Sequence, residues 1–316
     1  MTKSFDARMA EAFSRICPDA PIGVALSGGS DSTALTMLAA RHAPGRVEAA
    51  TVDHQLRAES ADEARTASRF AASQGVVHET LVWSDAPGQG NLQAAARTAR
   101  MRLLGEWAAR RGLSAVLLGH TMDDQAETLL MRLARGAGAD GLSGMPESRC
   151  MGGTLWLRPL LGARRSELRD WLRGQDVDWI EDPSNTDTRF ERVRVRQVLE
   201  VLAPLGIDAE GIASSAEILF EQRTALEGAA DGLADRARRW EEPQSARLDR
   251  SVIAGAPRDT ALRLLRDTLL QVGNTSNPPR RSALSRTLDE ILAGRPVCTL
   301  AGCIIRASED TISINP

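Results

Sequence analysis

Lysine is almost missing from this chain: among 316 residues the only one is Lys3. That excludes P-loop lysines, Schiff-base lysines and pyridoxal phosphate chemistry together. The Walker pattern G-x-x-x-x-G-K-[ST] is absent as well. Cysteine is scarce, and Cys17, Cys150, Cys298 and Cys303 form no C-x-x-C pair. Neither a zinc knuckle nor a disulfide framework is indicated, and the usage reads as that of a reducing cytoplasm. No stretch approaches the about 20 apolar residues of a membrane span. The start, Met-Thr-Lys-Ser-Phe-Asp, lacks an apolar signal core. What is present is ordinary for a globular protein: 42% hydrophobic and 26% charged residues, with a net charge of −3. There is room for two domains and a well-buried core. The net charge does not advertise nucleic-acid binding, but from residue 234 onward Arg outnumbers Asp plus Glu. Arginine suits bidentate phosphate contacts, although a plain preference for Arg over Lys gives the same count.

The most informative stretch is Ile22-Gly23-Val24-Ala25-Leu26-Ser27-Gly28-Gly29-Ser30-Asp31-Ser32-Thr33-Ala34-Leu35. An apolar run ends in a Ser/Gly turn and a helical pattern follows at once, which describes a strand feeding a phosphate-binding loop. Gly28 and Gly29 allow positive φ and close backbone approach to a ligand. Unpaired amides and the dipole at the next helix start favour an anion there. Ser27, Ser30 and Ser32 add hydroxyl donors. Asp31 would repel a bare phosphate and makes sense with a divalent cation between them. A plain Ser/Gly turn is the competing reading, and the whole S-G-G-x-D-S string in strand–helix context argues against it.

Elsewhere the pattern alternates. Residues 6–17 read as a helix, followed by helix Ser30–His42, strand Val47–Val52, helix Ala58–Gln74, strand Val76–Val82, helix Asn91–Arg111, strand Ser114–Gly119 and helix His120–Arg135. This predicts an α/β fold with a doubly wound parallel sheet covered on both faces. Ligands in such sheets bind beyond the carboxyl ends of the strands, here Leu26-Ser27, Asp53-His54 and Gly119-His120. Residues 136–187 are rich in Gly, Pro, Asp and Ser and read as an irregular, mobile functional loop with one helix, Arg164–Gly174. Helices follow at Arg189–Leu202, 208–240, Thr260–Val272 and Arg281–Ala293. Short strands close the chain at Val297–Leu300, Ile304–Arg306 and Thr311–Ile314. Pro204-Leu205-Gly206 marks a domain junction, giving a catalytic domain over 1–203 and a smaller, mainly helical domain over 204–316 that ends in a small β unit.

A second cluster, Gly119-His120-Thr121-Met122-Asp123-Asp124-Gln125-Ala126-Glu127-Thr128, follows the fourth strand directly. On a helix His120 and Asp124, and Asp123 and Glu127, are four apart, and Asp124 and Glu127 are three apart. Four ionisable groups thus crowd one helix start at the ligand edge. They suit magnesium, an amine, or tuning of His120 as a base. The bland reading is an acidic helix N-terminus favoured by the dipole. Position on the same edge as the phosphate loop tips the balance toward function. A zinc site is disfavoured, since there is no H-E-x-x-H spacing and no third His or Cys nearby.

The loop resembles that of the N-type ATP pyrophosphatases, the PP-loop family. The string G-H-x-x-D-D-Q-x-E-T is more specific and is similar to the signature of the tRNA(Ile)-lysidine synthetase family. Val52-Asp53-His54-Gln55-Leu56-Arg57, Ala95-Ala96-Arg97-Thr98-Ala99-Arg100, Arg135-Gly136 through Gly144-Met145, Arg158-Pro159-Leu160-Leu161 and Glu181-Asp182-Pro183-Ser184-Asn185 match that family in order. Met101 stands where a Tyr or Phe is expected, and Arg192-Val193-Arg194-Val195-Arg196 lacks the family's Asn. The match is dense over about residues 20–200.

The resemblance implies an enzyme that uses ATP and Mg²⁺ to join free L-lysine to carbon 2 of the wobble cytidine of a CAU-anticodon tRNA(Ile). Ser27, Gly28, Gly29, Ser30, Asp31, Ser32 and His54 would bind ATP, with Asp31 and Asp123 near magnesium. Asp124, Glu127 and Arg192 would bind lysine. His120, Asp124 and Arg100 would serve catalysis, His120 between lysine and the base and Arg100 near the adenylated cytidine. The rivals are a tRNA 2-thiolase, an amide-forming synthetase for a small metabolite, and a non-catalytic ATP sensor. The first lacks its clustered cysteines, and the intact Asp/His/Glu cluster disfavours the last. The C-terminal region reads equally as a dimerising or sheet-capping unit and as a grip on tRNA through arginines such as Arg280 and Arg281.

Overall fold

The computed structural model describes residues 3–56, 59–85, 92–182, 187–242 and 244–316. Two compact units make up the chain, Met1–Phe220 and Glu221–Pro316. The first begins with α1 (Phe5–Phe13), β1 (Ile22–Ala25), α2 (Ser30–His42), β2 (Val47–Asp53), α3 (Ser60–Ser73) and β3 (Val77–Val82). It continues through α4 (Leu92–Arg111), β4 (Ala115–Leu117) and α5 (Met122–Leu133). This is the expected alternation, with limits moved by about a turn at most.

The stretch read as an irregular loop over 136–187 is more ordered than that. It holds a short α6 (Ala139–Leu142), strands β5 (Ser148–Met151) and β6 (Thr154–Leu157), and α7 (Arg165–Arg173). Gly152 and Gly153, both at positive φ, turn a hairpin in which Met151 pairs with Thr154. Glycines counted toward a loop are in part turn residues of this hairpin. α8 (Glu191–Leu202), a 3-10 turn over Ala203–Leu205 and α9 (Ala209–Ala237) follow. The junction expected at Pro204 falls in that turn, and the compact units divide later, within α9.

Among the described residues the first sheet runs β3-β2-β1-β4-β6-β5. All pairings are parallel except that of the edge strand β5. The winding direction reverses between β1 and β4, and a crevice opens beyond their carboxyl ends at such a point. β1 is buried at every position, as a strand covered on both faces must be. One face packs Leu35, Leu38, Leu168 and Leu172 of α2 and α7 against Val24, Leu117 and Leu157. The other packs Leu104 and Trp107 of α4 against Ala25, Val116 and Trp156. Each such large side chain contributes roughly 1.5–3 kcal/mol on burial.

The second unit contains β7 (Arg238–Glu242), β8 (Ser245–Asp249), α10 (Arg250–Ala254), α11 (Arg258–Val272), α12 (Arg281–Leu292), β9 (Val297–Leu300), β10 (Cys303–Ala307) and β11 (Thr311–Asn315). Its antiparallel sheet runs β7-β8-β11-β10-β9 and packs Ile305, Ile312 and Ile314 against Leu262, Leu265 and Leu269 of α11. The terminal β unit is therefore larger than expected, because β7 begins in sequence that continues the helical pattern of α9. Several arginines here are held internally: Arg258 by Asp289 at 2.6 Å, and Arg263 and Arg281 by Asp259 at 2.8 Å.

Candidate active site

The chain leaves β1 through Leu26, whose N–H still bonds Ala50 O at 2.9 Å, and turns into α2 within three residues. Gly28 sits at φ +85°, and a Cβ there would lie 2.5 Å from Ile180 Cδ1. The left-handed backbone favours glycine, and any Cβ would also have to displace the end of the Ile180 side chain. Ile180 N–H bonds Gly28 O at 2.9 Å, which ties the segment before Glu181 to the loop. Gly29 is the N-cap of α2, and no side chain caps that helix start. Such a start offers its amides to an anion. Ser27 N–H donates to Ser32 Oγ at 3.1 Å, and Ser32 Oγ donates to Gly29 O at 3.0 Å, so the hydroxyls brace the turn.

β4 delivers the second cluster to the same place. A Cβ on Gly119 would lie 3.1 Å from the backbone of Asp31 and Ser32. Glycine lets the exit of β4 press against the start of α2. Thr121 is the N-cap of α5, and Asp124 completes a capping box. Its Oδ2 accepts from Thr121 N–H at 2.9 Å and from Thr121 Oγ1 at 3.0 Å. The helix-start reading thus accounts for Oδ2 of Asp124 and leaves Oδ1 facing Arg165.

The remaining oxygens converge on Arg165, the first residue of α7. Its Nε donates to Asp31 Oδ2 at 2.8 Å, Nη2 to Asp124 Oδ1 at 3.2 Å and Nη1 to Glu127 Oε1 at 3.5 Å. Its backbone N–H donates to Asp123 Oδ2 at 2.7 Å. Glu127 is 1% exposed, and its Oε1 also accepts from Arg196 Nε at 3.0 Å. Glu127 Oε2 lies 3.4 Å from Arg192 Nε and is a buried acceptor without a hydrogen-bond partner. Arg165 and Arg196 were not singled out from sequence. Arg196 was legible, since it lies four residues after Arg192 and shares its helix face. Arg165 carried no signal beyond its place at a helix start.

Electrostatics follow from this packing. Burial pushes the Asp31 carboxyl up, against the pull of Arg165 and Ser30. Burial also opposes ionisation of Asp124, but Arg165, His120, Arg192 and the Thr121 amide outweigh it and hold its pKa below the ordinary value. Arg165 is desolvated, yet Asp124, Asp31 and Glu127 raise it above the ordinary guanidinium range. Among the described residues no three His, Cys, Asp or Glu are placed to hold a metal by themselves. A magnesium ion normally takes one or two carboxylates and leaves its other positions to phosphate and water. Asp31 could supply one such carboxylate, since it stands in the first turn of α2 beside the phosphate-type loop.

His120 is not on α5, contrary to the helical spacing argued from sequence. It precedes the N-cap, and its N–H bonds Leu118 O at 2.9 Å. Its Nδ1 is buried without a hydrogen-bond partner. Burial first, then Arg158, Arg100 and Arg192, bring its pKa to about 3 despite Asp124. At neutral pH the imidazole is uncharged. His54, at the end of β2, stands edge-on to Trp83 at 5.6 Å, and its Nδ1 is likewise buried and unpartnered. With Ser27, Asp53, Arg100 and Asp182 it lines a pocket beyond β1 and β2. Arg57 and Pro183-Ser184-Asn185 of the matched motifs lie outside the described residues.

The His120 environment predicts acid sensitivity. A depressed folded pKa means the unfolded chain binds the extra proton first, so stability is full above about pH 6.5 and falls as pH drops toward 3. Between pH 7 and 5 the loss from this group is about 1 kcal/mol after allowing for its partly exposed ring. Denaturant unfolding at both pH values should show it, and His120→Asn should flatten the difference. An unaltered pH dependence in that variant would contradict the burial argument.

One arginine therefore touches both the phosphate-type loop and the carboxylate pocket. Comparison with known proteins shows which family carries this loop. A family model described as the PP-loop domain matches residues 1–202. The tRNA(Ile)-lysidine synthase of Ruegeria pomeroyi is 45% identical over 291 residues, covering 91% of this chain and 69% of that protein. The tRNA(Ile)-lysidine synthase of Methylobacterium nodulans is 41% identical over 310 residues, covering 95% and 91%. The chain belongs to the tRNA(Ile)-lysidine synthase family. The chain is similar in fold to a solved U34-tRNA thiolase, NcsA from Methanococcus maripaludis with its [4Fe-4S] cluster. That structure has a TM-score of 0.59 and 16% identity, over 69% of this chain and 78% of that one. In this lysidine synthase family member the four cysteines are free and form no C-x-x-C pair. No described helix is long and apolar enough to cross a membrane.

Proposed function

We propose that the rim beyond β1 and β4 joins free L-lysine to carbon 2 of the wobble cytidine in a CAU-anticodon tRNA(Ile), at the expense of ATP. The observation that carries this is the bridge of Arg165 between Asp31 on the loop and Asp124 and Glu127 on α5. Ser27 to Ser32 take the phosphates of ATP, and His54 lies in the pocket that receives the nucleoside. Asp31 and Asp123 would hold Mg²⁺, which neutralises charge on the departing pyrophosphate when bound.

The cytidine carbonyl is urea-like and a poor electrophile, so it needs activation. Its O2 attacks the α-phosphorus of ATP; the new O–P bond forms as the bond to the β-phosphate bridge breaks, and pyrophosphate leaves. Amides at the α2 start and the loop hydroxyls stabilise that anion. Arg100, on the same rim, offers its charge to the adenylated base. Lysine enters as an ammonium, and its amines bind Asp124 Oδ1 and Glu127, helped by Arg192. An ammonium there replaces Arg165 as counter-ion of Asp124. The deprotonated ε-amine attacks carbon 2, the C–O bond breaks, AMP leaves, and the nitrogen gives up a second proton. His120 stands between the two substrates as a neutral imidazole, contributing a hydrogen bond rather than charge. A base in an anticodon loop is single-stranded and can be turned into such a pocket. We assign residues 1–203 to this chemistry and 204–316 to holding tRNA, in the cytoplasm.

The test is incubation with ATP, Mg²⁺, labelled lysine and CAU-anticodon tRNA(Ile). Label should enter RNA only when every component is present. ATP cleavage to pyrophosphate without RNA, with no label in RNA, would favour the small-metabolite synthetase instead.

A further inference from the structure

Two sets of arginines stand at the carboxyl edge of the first sheet, and their surroundings differ. Arg165, Arg192 and Arg196 are neutralised by Asp31, Asp124 and Glu127. Arg97, Arg149 and Arg158 have no ion pair among the described residues. Arg158 follows β6, whose end lies beside that of β4: Leu118 N–H bonds Leu157 O at 2.8 Å. Its Nη1 donates to Pro146 O at 2.9 Å, and its Nε is buried with no hydrogen-bond partner. Arg149 pairs with Trp156 across β5 and β6 and so shares its sheet face. Trp156 packs against α4, where Gly105 leaves room for its ring. Arg97 is on the first half of α4, one turn before Arg100, which lines the pocket holding Ser27 and His54. Arg97 and Arg149 are exposed. Burial, then the charges of Arg149 and Arg97, pull the Arg158 guanidinium below its ordinary pKa, as uncompensated neighbours would.

Like charges gathered without carboxylates repel one another, so the strip is favourable only against an anion from outside the chain. The phosphate loop and its helix start lie at the β1–α2 turn, while this strip follows β5, β6 and α4 past His120. We propose that Arg97, Arg149 and Arg158 form a phosphodiester-binding strip that holds the RNA backbone flanking the base presented to His120. This rests on the proposed reading of the site as one that modifies a base in RNA. Arginine suits the task, since its fork takes phosphate oxygens bidentately. ATP, bound at the Ser27–Ser32 turn, is the other phosphate source, and the test separates the two.

The double variant Arg97→Ala/Arg149→Ala removes only exposed side chains. Binding of an anticodon stem–loop RNA, followed by fluorescence anisotropy across a salt series, needs no turnover. The dissociation constant should rise on the order of tenfold, and the slope of log K against log salt should shrink by about 0.7 for each arginine lost. Binding of ATP should be unchanged. An unaltered RNA affinity and salt slope would overturn the strip, and so would a weakening confined to ATP. Loss of RNA affinity in this variant together with wild-type protein that fails to label RNA with lysine would leave the strip standing and sink the lysine reading. Arg158→Gln is the independent check: it should weaken RNA binding in the same direction, and an unchanged constant would count against the strip.

Discussion

Asp124→Asn is expected to slow lysine transfer to tRNA on the order of a hundredfold, while pyrophosphate release dependent on tRNA stays within a fewfold of wild type. About 2.7 kcal/mol of barrier corresponds to that factor, which is the scale of one charge-assisted contact to an ammonium. The expectation depends on how the two oxygens of Asp124 are divided. Oδ2 serves the capping box with Thr121, and Oδ1 faces Arg165. Asparagine can keep its single oxygen toward Thr121 and so retain the cap at a cost of a few tenths of a kcal/mol. Its amide then replaces the charged oxygen that should meet the amine. Single-turnover measurement separates the steps, with labelled lysine reporting transfer and labelled pyrophosphate reporting activation. A wild-type transfer rate would remove Asp124 from the lysine pocket. Equal loss of both steps would place it in ATP activation instead.

Glu127→Ala is expected to destabilise the first unit by about 2–4 kcal/mol. Breaking one partner of a buried ion pair costs about 3–5 kcal/mol. That figure is discounted here because Arg192 and Arg196, at 37% and 34% side-chain exposure, can turn to water. Arg165, at 18%, cannot do so as freely, though Asp31 and Asp124 still hold it. Glu127→Gln keeps the shape and one acceptor, so its loss should be smaller. Urea unfolding should show a lower midpoint with an unchanged m value for both variants, in the order Ala below Gln. An unchanged midpoint for Glu127→Ala would mean the three arginines are not held by this carboxylate.

Much of the site was legible because its two parts are short-range signals. The turn at Gly28-Gly29 and the helix starts at Ser30 and Met122 are written in consecutive residues, and the strand alternation puts their ends on one edge. Arg165 was not legible, because its contacts join α7 to carboxylates from two helices distant in sequence. His120 was misplaced onto α5 because a helix-compatible residue next to a cap looks like the first turn, and only Thr121 shows where the helix begins. β5 and β6 were hidden by the Gly152-Gly153 turn between them. β7 was hidden because Arg238–Glu242 continues the helical pattern of α9.

If one rim both activates a pyrimidine in RNA and delivers an amine to it, the two steps can be separated in time. The direct measurement is a pulse and chase: enzyme, CAU-anticodon tRNA(Ile), Mg²⁺ and α-labelled ATP are mixed without lysine, free ATP is removed, and unlabelled lysine is added. Label should stay on the RNA during the pulse and leave as AMP when lysine is added, with one lysine gained per AMP lost. Label that never enters RNA, or that lysine does not release, would contradict that shared rim.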